Sequence, residues 1–82
     1  MIKVSFNGLI RSNHQLKSFE TTAETLGELI EKILETYPKI KSLEIDQAVI
    51  FVNRKHIRGL YREKYQLTPG DEVIFTNYVG GG

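Results

Sequence analysis

The chain has no cysteine. That absence excludes a disulfide framework, a thiol nucleophile and a thiolate metal site. Its two histidines, His14 and His56, stand far apart and make a poor metal set. An excess of charge of one sign is also missing. Eleven basic and ten acidic residues leave a net charge of +1, well short of the strong basic excess of a dedicated nucleic-acid binder. No apolar run approaches the roughly 18 residues that a membrane span needs. The opening Met1-Ile2-Lys3-Val4-Ser5-Phe6 is already strand-like and lacks a signal-peptide pattern, so the expected compartment is the cytoplasm. There is no repeat, low-complexity tract or interdomain linker. With 82 residues, 40% of them apolar, the chain has room for one small globular domain. A domain of this size buries only about 60% of its unfolded-chain surface, so its core must be lean.

Residues Ile2 to Phe6 alternate apolar and polar, the period of a half-buried strand. Asn7-Gly8 reads as a turn. The stretch from Leu9 to Glu20 offers Leu16 and Phe19 as core residues and fits a second strand paired back on the first. From Thr25 to Tyr37 the residues Leu26, Leu29, Ile30, Ile33, Leu34 and Tyr37 line one stripe of a helix. Thr25 and Glu28 have capping-box spacing, Glu28 and Lys32 pair at i, i+4, and Tyr37-Pro38 stops the helix. Lys39 to Gln47 is a polar connection with Ile40, Leu43 and Ile45 as anchors. Ala48 to Val52 is a nearly unbroken run of strand formers, read as buried on much of both faces. Asn53 to Lys64 is polar and basic, Pro69-Gly70 centres a turn, and Val73 to Phe75 is a short last strand.

One helix among four strands does not suit a ferredoxin-like fold, which needs two. The simplest packing lays the helix across one face of a mixed sheet, joined by a right-handed crossover. The predicted core is Ile2, Val4, Phe6, Leu26, Leu29, Ile30, Ile33, Leu34, Val49, Phe51, Leu67 and Val73.

The chain closes on Val79-Gly80-Gly81-Gly82. Ordering a glycine backbone costs about 1–2 kcal/mol per residue, so this tail is expected to be mobile in the free protein. Without side chains it can thread a narrow channel and present a terminal carboxylate that is ionised at neutral pH. The plain alternative is a frayed terminus.

The residues together resemble the ubiquitin-like β-grasp sulfur carriers of the MoaD/ThiS family, most of all the small subunit of molybdopterin synthase. Met1-Ile2-Lys3-Val4 with Phe6 matches the family's first strand. Thr25-Leu26-Gly27-Glu28-Leu29 matches its helix start, and Val52-Asn53 resembles the end of its third strand. Leu67-Thr68-Pro69-Gly70-Asp71-Glu72-Val73 is similar to its Leu-x-x-Gly-Asp-Glu-Val signature, and Gly81-Gly82 to its terminal pair. The resemblance spans essentially the whole chain. It implies an α+β fold of ubiquitin-like β-grasp type, a mixed sheet crossed by one main helix, over residues 1–78, with a flexible tail over 79–82.

The resemblance also implies a chemistry. An E1-like adenylyltransferase uses ATP to adenylate Gly82. A sulfur-donor enzyme then converts the adenylate to a thiocarboxylate, and the tail of Val79, Gly80, Gly81 and Gly82 delivers sulfur to a metabolite. In the molybdopterin branch the acceptor is a pterin precursor on the synthase large subunit; in the ubiquitin-like branch the carboxylate is joined to a lysine. In either case the chain is a carrier and substrate, not an enzyme. It has no catalytic group, metal or permanently bound cofactor of its own, and is expected to be a monomer when free. A third reading is an interaction or RNA-binding module whose tail is incidental. Where the molybdopterin subunits often carry apolar residues after the first strand and Phe-Pro-Pro before the tail, this chain has Asn7 and Thr76-Asn77-Tyr78. Those polar residues weaken the case for a standard large subunit.

Further interface candidates are Phe75, Tyr78 and the basic segment with Arg54, Lys55 and Arg58. From Arg54 to Lys64 there are five firm cations and one acid, against seven acids and three lysines from Glu20 to Asp46. Such asymmetry can steer an acidic partner. RNA is not favoured: it wants a stacking platform of aromatics beside the cations, and the order of Tyr61 and Tyr65 resembles no RNA-binding signature. The plain alternative is a solvated loop. Both histidines are expected at the surface. Asp71 and Glu72 are turn residues rather than a catalytic pair.

Overall fold

A computed structural model describes residues 1–77. The elements run β1 (Ile2–Phe6), α1 (Gly8–His14), β2 (Phe19–Thr21), α2 (Leu26–Thr36), α3 (Ser42–Asp46), β3 (Val49–Val52), β4 (Lys55–Ile57), a 3-10 turn (Arg62–Lys64) and β5 (Glu72–Thr76). The five strands form one mixed sheet in the order β2-β1-β5-β3-β4. β1 pairs parallel with β5; the other three pairings are antiparallel. The first strand is therefore internal, and the arrangement is the β-grasp that the motifs imply.

Helix α2 follows its sequence closely. Thr25 Oγ1 accepts the Glu28 N–H at 3.1 Å. Glu28 Oε2 reaches past the cap and accepts the Glu24 N–H at 3.1 Å, one residue further out than a simple capping box. Leu26, Leu29 and Ile33 are buried, while Ile30, Leu34 and Tyr37 pack half-buried at the edge of the core. Gly27 marks a close approach: a Cβ there would lie 3.1 Å from the Glu63 carbonyl oxygen.

Besides the fifth strand, β4, which lies in the polar basic segment where only four strands in all were expected and which buries only Ile57, three expectations need correction. The Asn7-Gly8 turn opens a short helix, α1, so the link from β1 to β2 is not a tight hairpin. Gly8 takes φ +72°, and a Cβ there would meet Thr76 Oγ1 at 3.2 Å. α1 contributes Ile10 alone to the core and leaves Leu9 exposed, so it has no stripe to read. The Lys39–Gln47 connection contains α3, which buries Ile45, while Leu43 is exposed.

The third correction is one of strand parity. Ile50 and Val52 are buried, and the predicted core residues Val49 and Phe51 are half-exposed on the opposite face. The core face of the sheet is instead Ile2, Val4, Phe6, Val73, Phe75, Ile50, Val52 and Ile57, extended by Ile10, Leu16, Ile40, Ile45, Ala48 and Leu67. At one end Phe6 stacks on Phe19 and Phe75 with centroids 6.2 and 5.7 Å away, and meets the Tyr37 ring edge-on at 5.9 Å.

Candidate docking face and tail base

Because strand side chains alternate, residues between the core positions face the other way. On β5 these are Glu72, Ile74 and Thr76; on β3, Val49 and Phe51; on β1, Lys3 and Ser5. The register sets Ile74 between Ser5 and Phe51, and Phe51 opposite His56. The Phe51 and His56 rings lie 5.3 Å apart. The result is an apolar strip of Val49, Phe51 and Ile74, bordered by Ser5, Thr76 and His56, with charge at Lys3, Glu20 and Glu72 toward one corner. Thr76, opposite Val49, is the last residue of β5. The strip therefore lies beside the point where the C-terminal segment leaves the sheet.

Phe75, expected as an interface residue, is instead fully buried against Phe6. Its neighbour Ile74 occupies the open face. Asn77 has a defined role at the tail base. Its Oδ1 accepts the Ile10 N–H, capping α1 across the chain, while the Asn7 N–H donates to the Phe75 carbonyl at 2.9 Å. The expected tail residues Val79, Gly80, Gly81 and Gly82, and Tyr78 with them, lie outside the described residues.

Arg54, Lys55 and Arg58 are all exposed but do not form one patch. Asn53 and Arg54, with φ of 50° and 72°, form the two-residue turn between β3 and β4. That turn adjoins the start of β5, the end away from the tail. Ile57 pairs with Ile50, so Arg58 follows at the level of Val49, at the tail end. Arg62, counted among the cations of this segment, is structural. Its guanidinium donates to the carbonyls of Ala48, Ile45 and Asp46 at 2.9, 2.8 and 3.0 Å.

Asp71 is also explained by folding. Its Oδ2 accepts the Thr68 N–H at 2.8 Å, closing the turn in which Gly70 takes φ +96°. Its Oδ1 accepts from Asn53. His14 and Glu44 meet at 2.6 Å and tie α1 to α3. The hydrogen bond from His14, helped by the Lys41 N–H, holds the Glu44 carboxyl below its usual value near 4.5 despite an opposing effect of burial. Among the described residues no cluster of three or more His, Cys, Asp or Glu is placed to hold a metal, and no helix is long and apolar enough to cross a membrane. What the geometry offers is a surface for docking beside a C-terminal segment.

Comparison with known proteins agrees with this architecture. The ThiS family model matches residues 4–82. No curated protein sequence matches significantly. Among solved structures, a chain in the BexX/CysO complex from Amycolatopsis orientalis is similar over 100% of both chains, with TM-score 0.79 and 22% identity. Small archaeal modifier protein 1 from Methanosarcina acetivorans is similar over 99% of this chain and 95% of its own, with TM-score 0.81 and 19% identity. A chain in the complex of subunits 1 and 2 of the molybdopterin-converting factor from Helicobacter pylori 26695 is similar over 99% of this chain and 97% of its own. Its TM-score is 0.71 and its identity 25%.

Proposed function

The chain belongs to the ThiS family of ubiquitin-fold sulfur carriers and modifiers, and on that premise we propose that it carries sulfur as a thiocarboxylate on Gly82. The observation that carries the proposal is the apolar strip of Val49, Phe51 and Ile74 at the exit of a segment ending in Gly-Gly-Gly. A partner can grip the strip and receive the segment at the same time. From Asn77, five residues at about 3.5 Å each reach roughly 17 Å, enough to enter a buried active site.

An oxygen of the Gly82 carboxylate attacks the α-phosphorus of ATP bound to an E1-like adenylyltransferase, and pyrophosphate leaves. Sulfide supplied by a sulfur-donor enzyme then attacks the acyl carbon. The C–O bond to the phosphate breaks, AMP leaves, and the thiocarboxylate remains. The chain supplies the reacting carboxylate and the docking surface; ATP and catalysis belong to the partner. The acceptor we propose is a pterin precursor on the large subunit of molybdopterin synthase. The likeness to a chain of a molybdopterin-converting factor complex supports this acceptor. The polar Asn7 and Thr76-Asn77 do not abolish the apolar face, because Val49, Phe51 and Ile74 supply it.

The second reading, a modifier joined to lysines through Gly82, is supported by the likeness to small archaeal modifier protein 1. Incubating sulfur-loaded carrier with the large subunit and the pterin precursor separates the two. Loss of sulfur from the carrier with formation of a dithiolene product supports the first. Lysine-linked adducts in place of sulfur transfer support the second.

A further inference from the structure

The loop between β4 and the 3-10 turn exposes two adjacent large residues, Leu60 at 93% and Tyr61 at 72%. Single exposed apolar residues are ordinary, but this pair stands out in three ways. It is held in place: Arg62 directly behind it binds three carbonyls before β3, and the Arg62 N–H donates to the Gly59 carbonyl at 3.3 Å. The next turn is fastened to α2, where the Leu26 N–H donates to the Tyr65 carbonyl at 2.9 Å and Gly27 closes on Glu63. Two cations also flank the pair against one exposed acid, Glu63: Arg58 is exposed just before it, and Lys64 Nζ lies 5.2 Å from the Tyr61 ring centroid. Finally, the loop that bears the pair leaves the sheet at its tail end. Arg58 is level with Val49, and the carbonyls that Arg62 binds lead directly into β3, whose first residue pairs with Thr76.

We infer that the loop Arg58–Tyr61 is a second docking element, by which the adenylylating enzyme that takes the tail also grips the carrier, with Leu60 and Tyr61 entering an apolar depression rimmed by acidic side chains. The inference rests on the carrier reading. An enzyme that draws a five-residue segment into its active site must press against the end of the domain from which that segment leaves. Leu60 and Tyr61 are exposed on an anchored loop that starts at that end, so little conformational freedom is lost on binding. A tyrosine at the centre of a desolvated contact is a frequent anchor, and the flanking cations favour an acidic rim and faster encounter. A protein surface suits the pair better than RNA. Leu60 has no ring on which to stack a base, and one side of the Tyr61 ring already faces Lys64.

The test is ATP–pyrophosphate exchange by the cognate adenylyltransferase, with the full-length carrier as the varied substrate. The double variant Leu60→Ser/Tyr61→Ser is expected to raise the KM for carrier roughly tenfold or more and leave kcat unchanged. Arg58→Glu is expected to raise KM as well and to reduce its dependence on salt. All three side chains are exposed, so the fold is spared, which circular dichroism verifies. Normal exchange with an unmoved KM in both variants overturns the inference and leaves the carrier reading standing. No exchange with the unaltered carrier, or exchange that persists without Gly82, overturns both. An unmoved KM together with single-stranded RNA binding that the same variants abolish overturns the inference in favour of nucleic acid.

Discussion

Asn53 and Asp71 join the β3–β4 turn to the start of β5 through a hydrogen bond of 2.8 Å from Nδ2 to Oδ1. Asn53 Oδ1 in turn accepts the Glu72 N–H at 2.9 Å, and the Asn53 N–H donates to the Glu72 carbonyl at 2.8 Å. The family's Val-Asn and Gly-Asp-Glu motifs are thus two halves of one clamp. Asn53 also tolerates the left-handed φ of 50° that its turn requires. Asn53→Ala is expected to cost about 1–2 kcal/mol in urea unfolding, from lost hydrogen bonds and backbone strain. Asn53→Gly removes only the first of these and should fall between alanine and the original residue. An alanine variant as stable as the original would show that the clamp does not hold the two segments.

Gly27→Ala reverses the usual sign. In a helix interior alanine is favoured over glycine by about 1 kcal/mol. Here the added methyl group would meet the Glu63 carbonyl at 3.1 Å, on a segment fixed by the Arg62 hydrogen bonds. The expected result is a lower midpoint of denaturation. A gain in stability would mean that the 3-10 turn yields freely.

Phe51 and Phe75 should separate docking from folding. Phe75→Ala empties a fully buried position and is expected to cost about 3–5 kcal/mol, enough to unfold a marginal domain. Phe51→Ser removes a half-exposed ring from the open face. It should leave most of the stability intact while weakening binding to the adenylyltransferase, as read by calorimetry. Equal damage to stability from both would contradict the parity of the sheet.

Two short stretches decide how much of this was legible in the sequence. In Ile2–Phe6 the alternation is plain, and β1 lies as expected. In Ala48–Val52 and Val73–Phe75 every residue is apolar, so nothing in the run shows which set faces the core. That ambiguity put Val49 and Phe51 in the predicted core, and a one-residue shift reverses them. Phe75 shares its face with Val73, a predicted core residue, so alternation alone already turned it inward, against its reading as an interface residue. The missing signal lay in the partners. Pairing Val73 with the clearly buried Val4 carries Phe75 and Ile50 inward and leaves Ile74 outside. α1 and α3 were hidden because each buries a single residue, Ile10 and Ile45. Helix α2, with its full stripe and Thr25 cap, was legible from the start.

Acid should loosen the tie between α1 and α3. The Glu44 carboxyl, stabilised as the anion mainly by His14, has a folded pKa below its usual 4.5. A depressed carboxyl pKa adds stability that is complete above the unfolded value and is lost as pH falls through the folded one. The contribution of this carboxylate should therefore be whole above about pH 5 and decline below it. His14→Gln should flatten that part of the acid-unfolding curve. Identical curves for the two proteins would mean that the contact does not stabilise the fold.

The chemistry of Gly82 can be read by intact-protein mass spectrometry. The full chain is incubated with the host's E1-like enzyme, ATP and a sulfide source. The expected result is a mass gain equal to exchanging one oxygen for sulfur, abolished by deletion of Gly82. An unchanged mass with no trapped adenylate, across the candidate E1-like enzymes, would overturn sulfur carriage on Gly82.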